Sequence, residues 1–105
     1  MNFLNSPADL REVARRVVWF KSPEQTLADP VFFLARLMTH GTYEDVLVAK
    51  RYFGEEEFRN ALENAPPGVF DARSWAYWNT VFGRLPVPPM PRRRFLQDSE
   101  LKADG

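Results

Sequence analysis

Along this chain, apolar residues recur at helical spacing in a series of segments, each bounded by proline, glycine or a capping residue. Leu10, Val13, Ala14, Val17 and Val18 form a one-sided stripe, with Arg11, Arg15 and Arg16 on the opposite, solvent side. Ser6 is placed as N-cap, with Pro7 at the first helical position and Asp9 near the capping-box place. The pattern predicts a helix over residues 7 to 19. Ser22-Pro23-Glu24-Gln25 repeats the start signal, but Pro30 follows so soon that only a single turn at 23 to 27 is expected.

Asp29-Pro30 opens the next helix, which reads VFFLARLMTH and stops at Gly41. Val31, Leu34, Leu37 and Met38 share a face and Phe32 and Phe33 cover much of the rest, so this helix is expected to be central. Thr42 and Asp45 have capping-box spacing for a helix over 43 to 53, with Val46, Ala49 and Phe53 on its main face. Tyr43 with Leu47, and Val48 with Tyr52, cover the adjacent faces. Gly54 ends it, and Glu55 to Asn64 follows with a stripe of Phe58, Ala61, Leu62 and Ala65.

The segment DARSWAYWNTVFGR, residues 71 to 84, lies between prolines and organises the rest. Asp71 is its natural N-cap and Gly83 its expected left-handed stop. Trp75, Trp78 and Phe82 fall on one face, with Tyr77 and Val81 on a flank well round from it. No window alternates apolar and polar residues as a half-buried strand does. The expectation is an all-α fold, a compact bundle of about five short helices. Residues 1 to 84 form the bundle, and residues 85 to 105 form a Pro-rich, basic C-terminal tail. LPVPPMPRRR is too dense in proline to be an ordinary helix and should be extended.

Composition narrows the chemistry. The chain of 105 residues has no cysteine, which removes disulfides and thiolate metal sites and accords with the cytoplasm as its expected location. The formal net charge is zero, so a global phosphate-binding surface is not supported and nucleic acid is not the expected partner. No stretch approaches the roughly 20 apolar residues of a membrane span. His40 is the single histidine, and its place in a last helical turn is accounted for by the helix dipole. Glu55, Glu56 and Glu57 point in different directions on a first turn and complement that dipole rather than converge on a metal. The residues therefore predict no enzyme, no catalytic or metal-binding residue and no cofactor.

What remains is recognition. Tyr77 combines apolar area with a polar tip on the flank of the aromatic helix, which suits an interface. Arg92, Arg93 and Arg94, the one concentrated basic run, suit a surface lined with carboxylates or phosphates. With Arg84 and Phe95 they make up the candidate partner-contacting set. The helices at 30–40, 43–53 and 55–64, joined by short corners, also permit a helix-turn-helix reading and hence a small nucleic-acid-binding transcriptional regulator. Against it, both possible recognition helices begin with acidic residues. A third reading is a homo-oligomer that associates through the aromatic helix.

A family resemblance adds to this. Val18-Trp19-Phe20, FFLARLMTHGTYEDV, Arg51-Tyr52-Phe53-Gly54-Glu55-Glu56-Glu57-Phe58 and Ser74-Trp75-Ala76-Tyr77-Trp78 resemble small helical bacterial proteins encoded beside AbiEii-type nucleotidyltransferase toxins. The pattern falls on Trp19, Gly41, Asp45, Tyr52, Gly54 and Trp78, with Phe53 separating Tyr52 from Gly54 as a departure. These positions are helix corners and aromatic anchors. The resemblance implies an antitoxin that neutralises such a toxin by direct protein contact, the bundle covering an RNA-accepting surface and the Pro-Arg tail reaching toward the catalytic cleft.

Overall fold

A computed structural model describes residues 7 to 90. Among them the chain forms six α-helices and no strand: α1 Ala8–Val17, α2 Pro23–Leu27, α3 Pro30–His40, α4 Tyr43–Lys50, α5 Glu55–Asn64 and α6 Ala72–Val81. The fold is an all-helical globule in which α3 touches each of the other five helices. The single turn expected at 23 to 27 is α2, closed by a capping box between Ser22 and Gln25, and it raises the expected five helices to six.

Local capping sets most boundaries. Asp29 accepts from the Phe32 amide at 3.3 Å and Asp71 from the Ser74 amide at 2.8 Å. Gly54 caps α5, its amide held by the Glu57 carboxylate at 2.8 Å. Two boundaries differ from expectation. Pro7 occupies the N-cap position of α1, the place expected for Ser6, which lies outside the described residues; the helix ends at Val17 as Val18 turns to φ −131°. Helix α4 stops at Lys50, and residues 51 to 53 form a tight turn with Tyr52 N donating to Ala49 O, so that Gly54 can start α5.

The core is built where the apolar stripes meet. Leu10, Val13, Ala14 and Val17 of α1 face Phe33, Leu34 and Leu37 of α3, with Phe58, Ala61 and Leu62 of α5 closing the far side. Trp78 seats α6: its ring stacks on Phe58 at 6.1 Å, and its Nε1 donates to the Met38 carbonyl at 2.8 Å. Two arginines expected only to face solvent bind across the fold. Arg11 pairs with Glu24 of α2, and Arg16 grips Asp45 of α4 through two hydrogen bonds of 2.8 and 3.1 Å.

After Gly83, at φ +72°, the chain runs back along the bundle. Trp75 Nε1 donates to the Pro88 carbonyl at 2.7 Å, and Met90 packs beside Phe70 and Trp75. Residues 85 to 90 are thus a strap laid over α6.

Candidate functional site

Besides Tyr52 and, on the strap, Leu85 and Val87, large apolar side chains stand out of the surface in two places. At the end of α1, Trp19 is 76% exposed and meets Phe20 edge-on at 5.2 Å, with Arg36 over the Phe20 ring and Lys21 over Phe32. Tyr43 and Leu47 of α4 and Tyr77 and Val81 of α6 are also exposed, along two helices that both rest on α3.

The space between α4 and α6 is a groove with two hollows. The first, of about 370 Å³, has Met38, Val46 and Trp78 as its floor and Tyr43 and Tyr77 as its walls. Arg73, Ser74 and Lys50 complete its lining. The second, of about 340 Å³, is formed by Phe53, Phe58, Val81 and Phe82, with Lys50 and Glu55 at its edge. Lys50 lines both and marks the saddle between them. Each hollow is large enough to take an apolar side chain of a partner.

Local sequence explains the walls. Thr42 and Asp45 cap α4 reciprocally at 3.1 Å and fix the helix start just before Tyr43. Trp78 is fixed by its bond to Met38, so Tyr77, one residue earlier, must point outward; its ring stands edge-on to Trp78 at 5.2 Å and 87°. Val81 follows Tyr77 one turn later on the same side.

The electrostatics set this groove apart. Arg11, Arg15, Arg16, Arg51, Arg59 and Arg84 each pair with a carboxylate. Arg36 donates to the Val17 carbonyl and Lys21 lies over Phe32. Among the described residues, Lys50 and Arg73 are the two Lys/Arg side chains with no carboxylate, carbonyl or ring as partner, and both line the first hollow. Asp71 lies nearby with its carboxyl held below the usual range by the Ser74 amide, with His40 and Arg73 adding to the effect.

The other expected positions are placed as follows. Arg84 does not line the groove; it is half-buried and bonds to Glu63 at 3.3 Å. Arg92, Arg93, Arg94 and Phe95 lie outside the described residues. Gly41 and Gly54 are helix corners, and Trp78 is the aromatic pivot. Asp45 is buried, capping α4 and holding Arg16. Burial pushes its carboxyl up, but Arg16 and the Thr42 amide outweigh this and leave it lowered. The Tyr52 hydroxyl donates to Asp9 at 2.9 Å, tying the turn after α4 to the start of α1. Trp19 is no anchor of the described fold, because α1 ends before it and turns it into solvent.

Tyr43, Lys50, Arg73 and Val81 are the groove residues that sequence reasoning did not single out as a site. The flank position of Tyr77 and Val81 was a usable signal. Nothing local marks Lys50 or Arg73, whose importance lies in what they do not contact.

Among the described residues no group of three His, Asp or Glu side chains is placed to hold a metal ion, and no helix is long and apolar enough to cross a membrane. Compared with known protein families, curated proteins and solved structures, the chain matches none.

Proposed function

We propose that this protein is a non-enzymatic binding module that docks another protein through the α4–α6 groove. The observation that carries this is the apolar groove walled by Tyr43 and Tyr77 and provided with two cations that have no partner within the described fold. Aromatic rims over apolar hollows are where contact energy concentrates in protein interfaces.

The resemblance in its helix corners and aromatic pairs extends the proposal to a cytoplasmic antitoxin that neutralises a nucleotidyltransferase toxin by direct contact. In that role the groove makes the main contact, and the basic run Arg92 to Arg94 with Phe95 reaches toward the carboxylates of the toxin's nucleotide site. Nucleic acid is the weaker partner. Glu44 stands exposed at the start of α4, and Glu55, Glu56 and Glu57 open α5, so either would bring carboxylates to the phosphates.

Co-expression with an adjacently encoded nucleotidyltransferase, followed by size-exclusion chromatography and a toxin assay, tests the reading. A stoichiometric, inactive complex is expected. Combining Tyr77→Ala with Val81→Ser should weaken it by about tenfold or more while leaving the fold intact. A complex of unchanged affinity in that variant would remove the groove from the contact. Salt-sensitive binding to duplex DNA, with no protein complex, would instead favour the regulator.

A further inference from the structure

Resting on that reading, we infer that the groove takes an amphipathic α-helix of a partner protein, carrying apolar anchors at i and i+7 and a carboxylate at i+3 or i+4 that faces Lys50. Spacing supplies the first argument. On α6 the first hollow is lined by residues 73, 74, 77 and 78 and the second by 81 and 82. Their centres differ by roughly six residues, or roughly 9 Å at the helical rise. An α-helix lying along the groove places i and i+7 about 10 Å apart on one face. An extended strand offers about 7 Å at i+2 and about 13 Å at i+4, so the helical spacing matches the two hollows more closely.

The chemistry supplies the second argument. Lys50 sits between the hollows, where the i+3 or i+4 residue of such a helix would pass, and Arg73 stands at the outer end of the first hollow. Neither forms a direct ion pair among the described residues, Asp71 acting on Arg73 only through space, so a carboxylate meeting Lys50 displaces no existing ion pair. The helical register leaves room for a second carboxylate one turn before the first anchor, facing Arg73. The partner segment is therefore acidic and amphipathic, seated by its apolar face in the helix-in-groove manner.

The test uses the isotopically labelled full chain and three side-stapled helical peptides with leucine at i and i+7, differing at i+4 as Glu, Gln or Lys. Amide shifts should fall on α4, residues 51 to 58 and α6, and the Glu peptide should bind at least about fivefold more tightly than the Gln peptide. Lys50→Glu, at an exposed site without a partner, should transfer the preference to the Lys peptide. Equal affinity of the three peptides within the groove would overturn the inference and leave the docking surface standing. No shift along α4 and α6 with any peptide, while a partner still binds the chain and Tyr77→Ala/Val81→Ser leaves that complex unchanged, would overturn both. Shifts of the same residues on concentrating the free chain would assign the groove to a second copy, and displacement of the Glu peptide by a synthetic 91–105 peptide would assign it to the chain's own tail. Either would overturn the inference.

Discussion

Arg16 of α1 and Asp45 of α4, 29 positions apart, are joined side by side by two hydrogen bonds of 2.8 and 3.1 Å. The same carboxylate accepts from the Thr42 amide at 3.1 Å, so one buried side chain both starts α4 and fastens it to α1. Whatever disturbs Asp45 therefore moves one wall of the groove.

Asp45→Asn tests this linkage. It weakens the cap and removes a pair whose arginine is half-exposed and hence screened, together about 1–2 kcal/mol of stability near neutral pH. Asp45 has its carboxyl lowered from 3.8 in the folded chain, so its contribution is full above that value and fades as pH falls through the folded one. Urea unfolding of both proteins should give a clear difference at about pH 7 that narrows by about pH 3. A difference independent of pH would mean that the charge of Asp45 does not matter.

Two glycines predict contrasting failures. At Gly41 a Cβ would lie 2.7 Å from both the Leu37 carbonyl oxygen and its Cδ1, and the helical oxygen has nowhere to go. Gly41→Ala should cost about 1–3 kcal/mol by overpacking and shift the α3–α4 corner that ends at Tyr43. At Gly83 nothing lies within 4 Å of the added carbon, but φ is +72°. Gly83→Ala should cost about 1–2 kcal/mol through the backbone alone, and Gly83→Asn less. Thermal unfolding of the three variants checks the ordering at Gly83, and equal costs for alanine and asparagine there would contradict it.

These examples also mark how far the sequence could be read. The caps at Ser22, Asp29, Thr42 and Asp71 join residues three apart, so spacing alone located them, whereas Gly54, read as the stop of the helix before it, proves to be the N-cap of α5. The stripe on α1 and the face of Trp75 and Trp78 followed from helical periodicity in the same way. The Arg16–Asp45 fork, the Trp78–Met38 bond and the groove depend on which helices become neighbours, and periodicity carries no such information. Trp19, which the resemblance places among the aromatic anchors, stands exposed because the helix ends two residues before it.

The three tryptophans should report separately on this arrangement. Trp19 is exposed while Trp75 and Trp78 are buried, so acrylamide should quench one emission component readily and the others poorly. Trp19→Phe should abolish the readily quenched component and change stability by no more than about 0.5 kcal/mol. Trp78→Phe leaves the Met38 carbonyl without its indole donor and should cost about 1–3 kcal/mol. Equal quenching of wild type and Trp19→Phe would contradict the placement of Trp19.

The strap over α6 gives the last prediction, and separates stability from binding. Ending the chain after Met90 keeps the Trp75–Pro88 hydrogen bond and the packing of Met90 beside Phe70. Such a chain should unfold at the same denaturant midpoint as the full protein. Ending it after Arg84 strips the indole of its acceptor and uncovers that side of the core, which should cost about 2–4 kcal/mol from the lost bond and the buried apolar area together. If Arg92, Arg93, Arg94 and Phe95 contact the partner, the chain ending at Met90 should be fully stable yet bind more weakly, with a flatter dependence on salt. Unchanged affinity in that chain would restrict the interface to the groove, whereas loss of stability on removing residues 91 to 105 would give the tail a role in the fold itself.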